Sequence, residues 1–195
     1  MTRRPSPHRI CGLDLEAYLV KAEEFHGHVS PGVVLGGYLL DAAWGRLGDT
    51  PYLNAVVETV VCLPDAVQML TPCTLGNGYM QVLDWGKFAL TLYDRQTLAG
   101  YRAWADRQAI AGVPAIAAWF LRTGQSLPKE EVVRHIGAHG PGLARVAPVR
   151  LPRPLKPVDK VATGPCPDCG ESYPLRWGPT CLACQGQAYY QPAAE

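Results

Sequence analysis

The sequence lacks any long apolar run and any strong excess of charge of one sign. No stretch approaches the roughly 20 apolar residues of a transmembrane helix, and no apolar core follows the basic residues near the N-terminus, so no signal peptide is indicated. The formal net charge is only +1 at pH 7. We therefore expect neither nucleic acid nor a membrane surface as a partner, and we expect a cytoplasmic protein.

Cysteine, in contrast, is frequent for a chain expected to stay in a reducing compartment. The seven cysteines are therefore interpreted as metal ligands or free thiols before disulfides. Cys166 and Cys169 form one C-x2-C pair, and Cys181 and Cys184 form a second pair after eleven intervening residues. Four thiolates at this spacing hold a tetrahedral ion, Zn²⁺ before others. The sequence predicts a zinc ribbon over residues 164–190, with two redox-active cysteine pairs as the alternative.

The ribbon also carries four aromatic residues: Tyr173, Trp177, Tyr189 and Tyr190. A module of about thirty residues has almost no apolar core, so the metal must supply its folding energy. The aromatic residues either form a contact surface for a protein client or only pad the small fold.

Apolar periodicity divides residues 1–145 into helices and strands. Helices are predicted at residues 14–25, 31–47, 64–70, 114–122 and 128–136. Strands are predicted at residues 54–62, 79–83, 87–93 and 100–106, with hairpin turns at 84–86 and 94–98 between the last three. The order helix-helix-strand-helix followed by three strands indicates an α+β fold, with a mostly antiparallel sheet packed on helices.

Two stretches outside this pattern are predicted to lack regular structure. Residues 1–12 are expected to be an unstructured lead. The proline-spaced, basic residues 146–163 are expected to form an extended linker between the core domain and the zinc ribbon.

The segment from Phe25 to Gly37 is the most unusual part of the core. His26 and His28 directly precede Ser30 and Pro31, which are a good helix N-cap and a good first helical residue. The two imidazoles are therefore expected in the loop that leads into a helix N-terminus. Free N–H groups and a partial positive charge at that end can hold an anion or lower the pKa of an acidic group.

A second metal site is a hypothesis for this region. Imidazole and thiolate together suit Zn²⁺ or another borderline-soft divalent ion. Cys62 ends the predicted central strand, where strand ends and helix N-termini cluster, so His26, His28 and Cys62 are candidate ligands. Asp65 or Glu58 is the candidate carboxylate that orients a ligand or acts as a general base. The alternative is a cysteine that only fills the core and a histidine that only caps the helix.

Other polar residues give weaker signals. His135 and His139 are four residues apart, but Gly137 and Gly140 indicate that the helix ends there, which favours a solvated helix end over a metal site. Residues 76–78 are predicted to form a turn, because no P-loop or dinucleotide context surrounds them. Lys87 either directs a cation toward an anionic ligand or is a solvated strand lysine.

Several of these blocks together resemble one family, the FmdE subunits of formylmethanofuran dehydrogenase and their stand-alone relatives. The family signature is similar to Phe-His-Gly-His-x-Cys-Pro-Gly followed by a small-residue helix, and residues 25–32 match it except at Ser30. Further similar blocks are residues 57–68, 73–78 and 84–87. The resemblance covers roughly residues 13–105.

The resemblance implies an α+β fold and a metal-binding His-Gly-His loop. Ser30 departs from it, because an alcohol is a poor ligand for soft divalent ions, and Cys73 is the nearest substitute along the chain. The implied function is that of an accessory or partner protein, related to molybdenum or tungsten formylmethanofuran dehydrogenase or to other molybdopterin enzymes. The candidate cofactor-binding residues are then His26, His28, Ser30 and Lys87.

Two other functions stay open. One is a metal-dependent enzyme, in which the core metal activates water or a carbonyl group and Asp65 handles protons. The other is a structural dimerisation module with zinc only in the ribbon. The small-residue helix from Pro31 to Gly48 favours close helix packing, and hence a homodimer, in all three cases.

Overall fold

The computed structural model describes residues 9–125, 127–155 and 161–191. The chain divides into two compact units, Met1–Pro157 and Val158–Glu195, and each is described by itself. Residues 1–8 of the predicted lead and residues 156–160 of the predicted linker lie outside the described residues.

The first unit contains helices and strands in mixed order, as predicted for an α+β fold. The helices are α1 (Leu15–His26), α2 (Pro31–Leu47), α3 (Leu63–Leu70), α4 (Arg107–Ala111), α5 (Pro114–Phe120) and α6 (Lys129–His139). The strands are β1 (Arg9–Ile10), β2 (Leu13–Asp14), β3 (Leu53–Val57), β4 (Met80–Val82), β5 (Ala89–Asp94), β6 (Ala99–Ala105) and β7 (Ala144–Arg150). A short 3-10 turn, Gly140–Leu143, joins α6 to β7.

Helix α2 is the centre of this unit. All of its residues from Pro31 to Leu40 are buried, as expected for a helix that is apolar on every side. It packs on β5, β6 and β7 on one side and on α1, α3 and α6 on the others. Its small residues therefore pack within the chain, and the homodimer expected from them stays a prediction.

Local capping signals set the ends of the first two helices as predicted. The Asp14 carboxylate accepts a hydrogen bond from the Ala17 N–H and starts α1, while Gly27 ends it in the left-handed region. The Ser30 hydroxyl accepts from the Val33 N–H and starts α2. The loop between the two helices is consequently only a few residues long and holds His28.

The main sheet has the strand order β4-β3-β5-β6-β7. The β5–β6 hairpin confirms the predicted turn at residues 94–98. The predicted hairpin at residues 84–86 is wrong, because β4 pairs with β3 in parallel and β5 lies on the other side of β3. Parallel pairing needs a long crossover, and α3 supplies it.

The predicted linker is wrong at its start. Residues 146–150 belong to β7, which pairs with β6 along its whole length at the sheet edge. Pro148 is tolerated there, because an edge strand need not donate every N–H group. The chain then continues as the 151–155 segment, where Leu155 contributes a backbone hydrogen bond to the Tyr93 hydroxyl.

The predicted lead is also structured over its described residues. Strands β1 and β2 form a small antiparallel hairpin. Ile10 is fully buried in the core, and the Cys11 N–H donates to the Asp41 carboxylate. An apolar residue in a short segment without periodicity was a weak signal, and its burial depends on the distant helix α2.

The helices after the sheet also differ from the predictions at their ends. Helix α4 was not predicted and is capped by the Asp106 carboxylate, which accepts from the Gln108 N–H. Helix α6 continues past Gly137 and ends at His139, before Gly140. Gly137 does not end the helix; it lies against Leu15 in a space without room for a side chain. No helix in the described ranges is long and apolar enough to cross a membrane.

The second unit is a small zinc-finger-sized module. Strands β8 (Thr163–Pro165) and β9 (Ser172–Pro174) form an antiparallel hairpin, with Cys166 and Cys169 in its turn. A 3-10 turn, Leu175–Trp177, follows. In the second cysteine pair, Cys181 precedes the short helical segment Ala183–Gln187 and Cys184 lies within it.

The packing of Gly37 gives a direct test of the core. A Cβ atom at this position would lie 2.6 Å from the ring end of Tyr18 and 2.8 Å from Ile10. Tyr18 cannot move aside, because it is fully buried and its hydroxyl donates to the Val33 carbonyl. We expect Gly37→Ala to destabilise the fold by about 1–3 kcal/mol in urea unfolding, although alanine is the better helix former. Gly76→Ala, with open space at its Cβ, is the control and should change stability little; equal stabilities of both variants would contradict the packing.

Candidate functional site

The N-termini of α2 and α3 meet in the core unit. Ser30 caps α2 and Cys62 occupies the cap position of α3, and the Ser30 Oγ lies 3.4 Å from the Cys62 Sγ. Gly32 permits this approach, since a Cβ there would lie 2.8 Å from the Cys62 sulfur. A hydroxyl, a thiol and the free N–H groups of two helix ends are therefore gathered in one place.

His26 is tied to the same place by a carboxylate. Its Nδ1 lies 2.6 Å from the Asp65 Oδ2, which brings the last residue of α1 onto the first turn of α3. An ionised carboxylate only accepts hydrogen bonds, so Nδ1 is the protonated nitrogen when the ring is neutral. Nε2 then keeps its lone pair, which is how a carboxylate prepares a histidine as a metal ligand or a base.

His28 lies on the open side of this group. Its ring centroid is 4.8 Å from that of His26, and its side chain is exposed. It also lines a groove of about 730 Å³ between α1 and α6. The apolar residues of that groove are Leu15, Leu19, Val29 and Val133. A ligand of moderate size therefore has access to His28.

Cys62 has an unusual backbone conformation. Its φ of 58° and ψ of −43° lie outside the usual regions for a residue with a side chain. Its thiol is half-buried beside Ser30 and is free. The core centre is thus made of His26, His28, Ser30, Cys62 and Asp65, all of which were singled out in the sequence.

Cys73 and Lys87 are not part of this group. Cys73 is fully buried and its thiol donates to the Leu53 carbonyl; burial raises the pKa of this thiol, so it does not replace the family cysteine. Lys87 instead lies with its Nζ 5.6 Å from the Trp85 ring centroid. Sequence position alone could not separate these residues from the centre.

Glu58 is likewise not a partner of the histidines. Its carboxylate accepts two hydrogen bonds from Arg102, at 2.7 Å from Nε and 2.6 Å from Nη2. These bonds raise the pKa of the guanidinium. Arg102 was not among the residues predicted from the sequence. A buried carboxylate needs a cationic partner, and an arginine within the predicted strand at residues 100–106 was the available signal.

The four ribbon cysteines come together as predicted. Their Sγ atoms all lie within 4.8 Å of one another, and the Cys169 and Cys181 sulfurs are 3.8 Å apart. When four sulfur atoms surround an ion tetrahedrally at about 2.3 Å, neighbouring sulfur atoms lie about 3.8 Å apart. The Cys181 N–H donates to the Cys166 Sγ and lowers the pKa of that thiol to about 6. The donor set therefore fits Zn²⁺.

The core centre is not arranged in this way. Within the described residues, the four cysteines are the only group of three or more His, Cys, Asp or Glu side chains with donor atoms close enough for one ion. The rings of His135 and His139 stack with centroids 6.4 Å apart, and the His139 Nδ1 lies 2.8 Å from the His135 carbonyl oxygen. The structure therefore shows a prepared zinc site in the second unit, and a polar centre without converged ligands in the first.

The α+β core and the cysteine cluster define a metal-binding protein with a C-terminal zinc finger. The chain belongs to the FmdE family: residues 25–141 match the family model described as FmdE, molybdenum formylmethanofuran dehydrogenase operon. Residues 159–191 match the FmdE treble clef zinc finger. The predicted zinc ribbon thus corresponds to this treble clef zinc finger, in which Cys184 lies within the short helical segment Ala183–Gln187.

Two known proteins are similar to this chain. A solved structure of an FmdE-like protein of the tungsten formylmethanofuran dehydrogenase type, from Syntrophus aciditrophicus, is 38% identical, covers 96% of this chain and 100% of its own, and has a TM-score of 0.84. A probable S-adenosyl-L-methionine-binding protein from Archaeoglobus fulgidus is 33% identical over 132 residues, or 64% of this chain. The match covers 34% of that relative, so the chain spans about a third of its length.

The cysteine cluster predicts how the second unit depends on metal. We expect Cys166→Ser/Cys169→Ser to lose about one zinc per chain and to expose residues 158–195 to proteolysis, because such a module does not fold without its ion. Mass spectrometry of the digest and metal analysis measure both effects. Cys184→His is the control and should retain zinc, since a Cys3His set also binds it. Unchanged zinc in the double variant would contradict the site.

Proposed function

We propose that this protein is a metal-binding accessory protein. We also propose that its core centre binds a divalent ion, in addition to the structural zinc of the second unit. The proposed client is a molybdenum or tungsten formylmethanofuran dehydrogenase, or another molybdopterin enzyme. The observation that carries the proposal is the His26–Asp65 pair on the first turn of α3, the helix whose N-terminal cap position is Cys62. The family assignment agrees with it.

The donor chemistry of the core centre suits a borderline-soft ion. His26, His28 and Cys62 would hold the ion, with Asp65 orienting His26. His28 is exposed in the short loop before α2, and its ring centroid already lies 4.8 Å from that of His26. When bound, a divalent ion in such a site supplies a Lewis acid and lowers the pKa of coordinated water.

Exposed apolar side chains next to the core centre in the sequence support a protein partner. Phe25, Val60 and Val61 are 51%, 61% and 60% exposed, and they neighbour His26 and Cys62 along the chain. Exposed apolar residues that form a patch are typical of interaction surfaces. In the zinc finger, Tyr173 is buried and pads the fold, whereas Trp177, Tyr189 and Tyr190 are exposed and are available to a client.

Metal analysis tests the core ion. We expect about two divalent ions per chain in the wild-type protein and about one in His26→Ala/His28→Ala, because removal of two imidazoles leaves too few donors for a stable site. Inductively coupled plasma mass spectrometry of protein purified with added zinc measures the ratio.

His135→Ala/His139→Ala is the matched control for this experiment. It also removes two neighbouring histidines, but from α6, and should keep both ions. Thermal unfolding of each variant establishes that it is folded. One ion in the wild-type protein, or equal counts in both double variants, would overturn the proposed core ion.

An enzyme is the second candidate, and the groove that reaches His28 favours it. In this case a small substrate held in the groove would contact His28, and the His26–Asp65 pair, whose imidazole ring centroid is 4.8 Å from that of His28, would handle protons at this end of the groove. Asp65→Asn distinguishes the two roles. An accessory protein should bind the purified dehydrogenase with unchanged affinity in this variant, measured by surface plasmon resonance, whereas turnover of a small substrate that falls at least tenfold would favour the enzyme.

A further inference from the structure

The outer face of the sheet, which does not contact α2, carries a separate polar group. Val56, Thr91 and Arg102 are direct neighbours across β3, β5 and β6. Their strand neighbours Ala55, Leu92 and Ala103 point the other way, into the apolar core. A cleft of about 400 Å³ lies over this outer row, bounded on one side by the end of β7 and the 151–155 segment.

A buried carboxylate holds one cation of this cleft in place. The Glu58 side chain is only 4% exposed and binds Arg102 through both carboxylate oxygens. The Arg102 guanidinium also lies 5.3 Å from the Trp104 ring centroid. Glu58 uses two of the five N–H groups of Arg102, and the remainder of this fixed guanidinium lines the cleft.

The cleft has an excess of positive charge. Arg102 and Arg153 line it, against the single carboxylate of Glu58. Arg150 is a further lining residue at the end of β7, and its Nη1 donates to the Thr97 carbonyl. Lys87 lies over the indole of Trp85, which is also a lining residue. Cations that surround a partly enclosed volume attract an anion more strongly than the same cations on an open surface.

The remaining walls are apolar and enclose a small ligand. They consist of Val56, Leu83, Trp85, Val149, Leu151, Pro152 and Leu155. A volume of about 400 Å³ with apolar walls and a few fixed polar groups is typical of small-molecule sites. The Thr91 hydroxyl, next to Arg102, adds a further hydrogen-bonding group to the lining.

We propose that this cleft binds a small organic anion, with its carboxylate or phosphate on Arg102 and the neighbouring arginines and its compact apolar body against Trp85 and the aliphatic walls. Glu58 is the positioning residue for Arg102. Both of its carboxylate oxygens bind this arginine, so Glu58 is not a partner of the histidines in the core centre. Lys87 adds a cation at the Trp85 side. The cleft shares no lining residue with the core centre. Binding of the anion is therefore independent of the proposed core ion.

Titration with three probes tests the proposal on the full-length protein. Benzoate and phenyl phosphate combine an oxyanion with a small aromatic body, and benzamide is the neutral counterpart of benzoate. We expect at least one of the two anions to bind with a Kd of about 1 mM or tighter in isothermal titration calorimetry, with weaker binding as salt rises. The stronger of the two anions identifies the oxyanion, and benzamide should not bind.

The variants locate that binding. Arg150→Gln/Arg153→Gln leaves the buried pair intact and should weaken the anion about tenfold or more. Glu58→Gln/Arg102→Gln avoids an unpaired buried charge and should abolish binding in a protein that still unfolds cooperatively. Arg46→Gln/Arg107→Gln removes two exposed arginines outside the cleft and should bind like the wild type. Absence of binding by both anions, or equal weakening in the Arg150/Arg153 and Arg46/Arg107 variants, would overturn the proposal.

Discussion

The close approach of α2 to α3 determines the position of every side chain in the core centre. Gly32 lies against Cys62, and Gly36 lies against Leu63 and Ala66, so the two helix N-termini meet at backbone distance. Ser30 then contacts Cys62, and Asp65 in the first turn of α3 comes within reach of His26. The glycines of the family signature thus have a mechanical role, because they bring together polar groups that lie more than thirty residues apart in the sequence.

Features with a local physical cause could be predicted from the sequence. The ends of α1 and α2 followed from Asp14, Ser30, Pro31 and the glycines after each helix, since a cap depends only on neighbouring residues. The zinc site followed from cysteine spacing for the same reason. The partners of β4 and β7 could not be predicted in this way, because strand order depends on how α3 crosses the sheet and on which edge is still free. A polar, proline-containing edge strand looks like a linker until its partner is known.

The candidate site shows the same division. His26, His28, Cys62 and Asp65 were found because they flank the predicted loop and helix start. The positions of Glu58, Lys87 and Cys73 could not be found in this way. The direction of each side chain depends on how its strand or turn is placed in the sheet. Glu58 follows β3, whose side chains alternate between the core and the outer face. A shift of one residue along this strand decides whether a side chain points toward the helices or toward the Arg102 cleft. The core centre therefore lies at helix ends, whereas the Arg102 cleft lies on the outer face of the sheet.

The backbone of Cys62 has one more consequence. A residue with a side chain at positive φ carries a conformational penalty of about 1 kcal/mol or more, which glycine would avoid. The backbone alone would thus be served better by glycine. Cysteine instead places a thiol at the junction of α2 and α3, with its sulfur 3.4 Å from the Ser30 hydroxyl oxygen. The chain therefore has a thiol at this junction at a cost in backbone conformational energy.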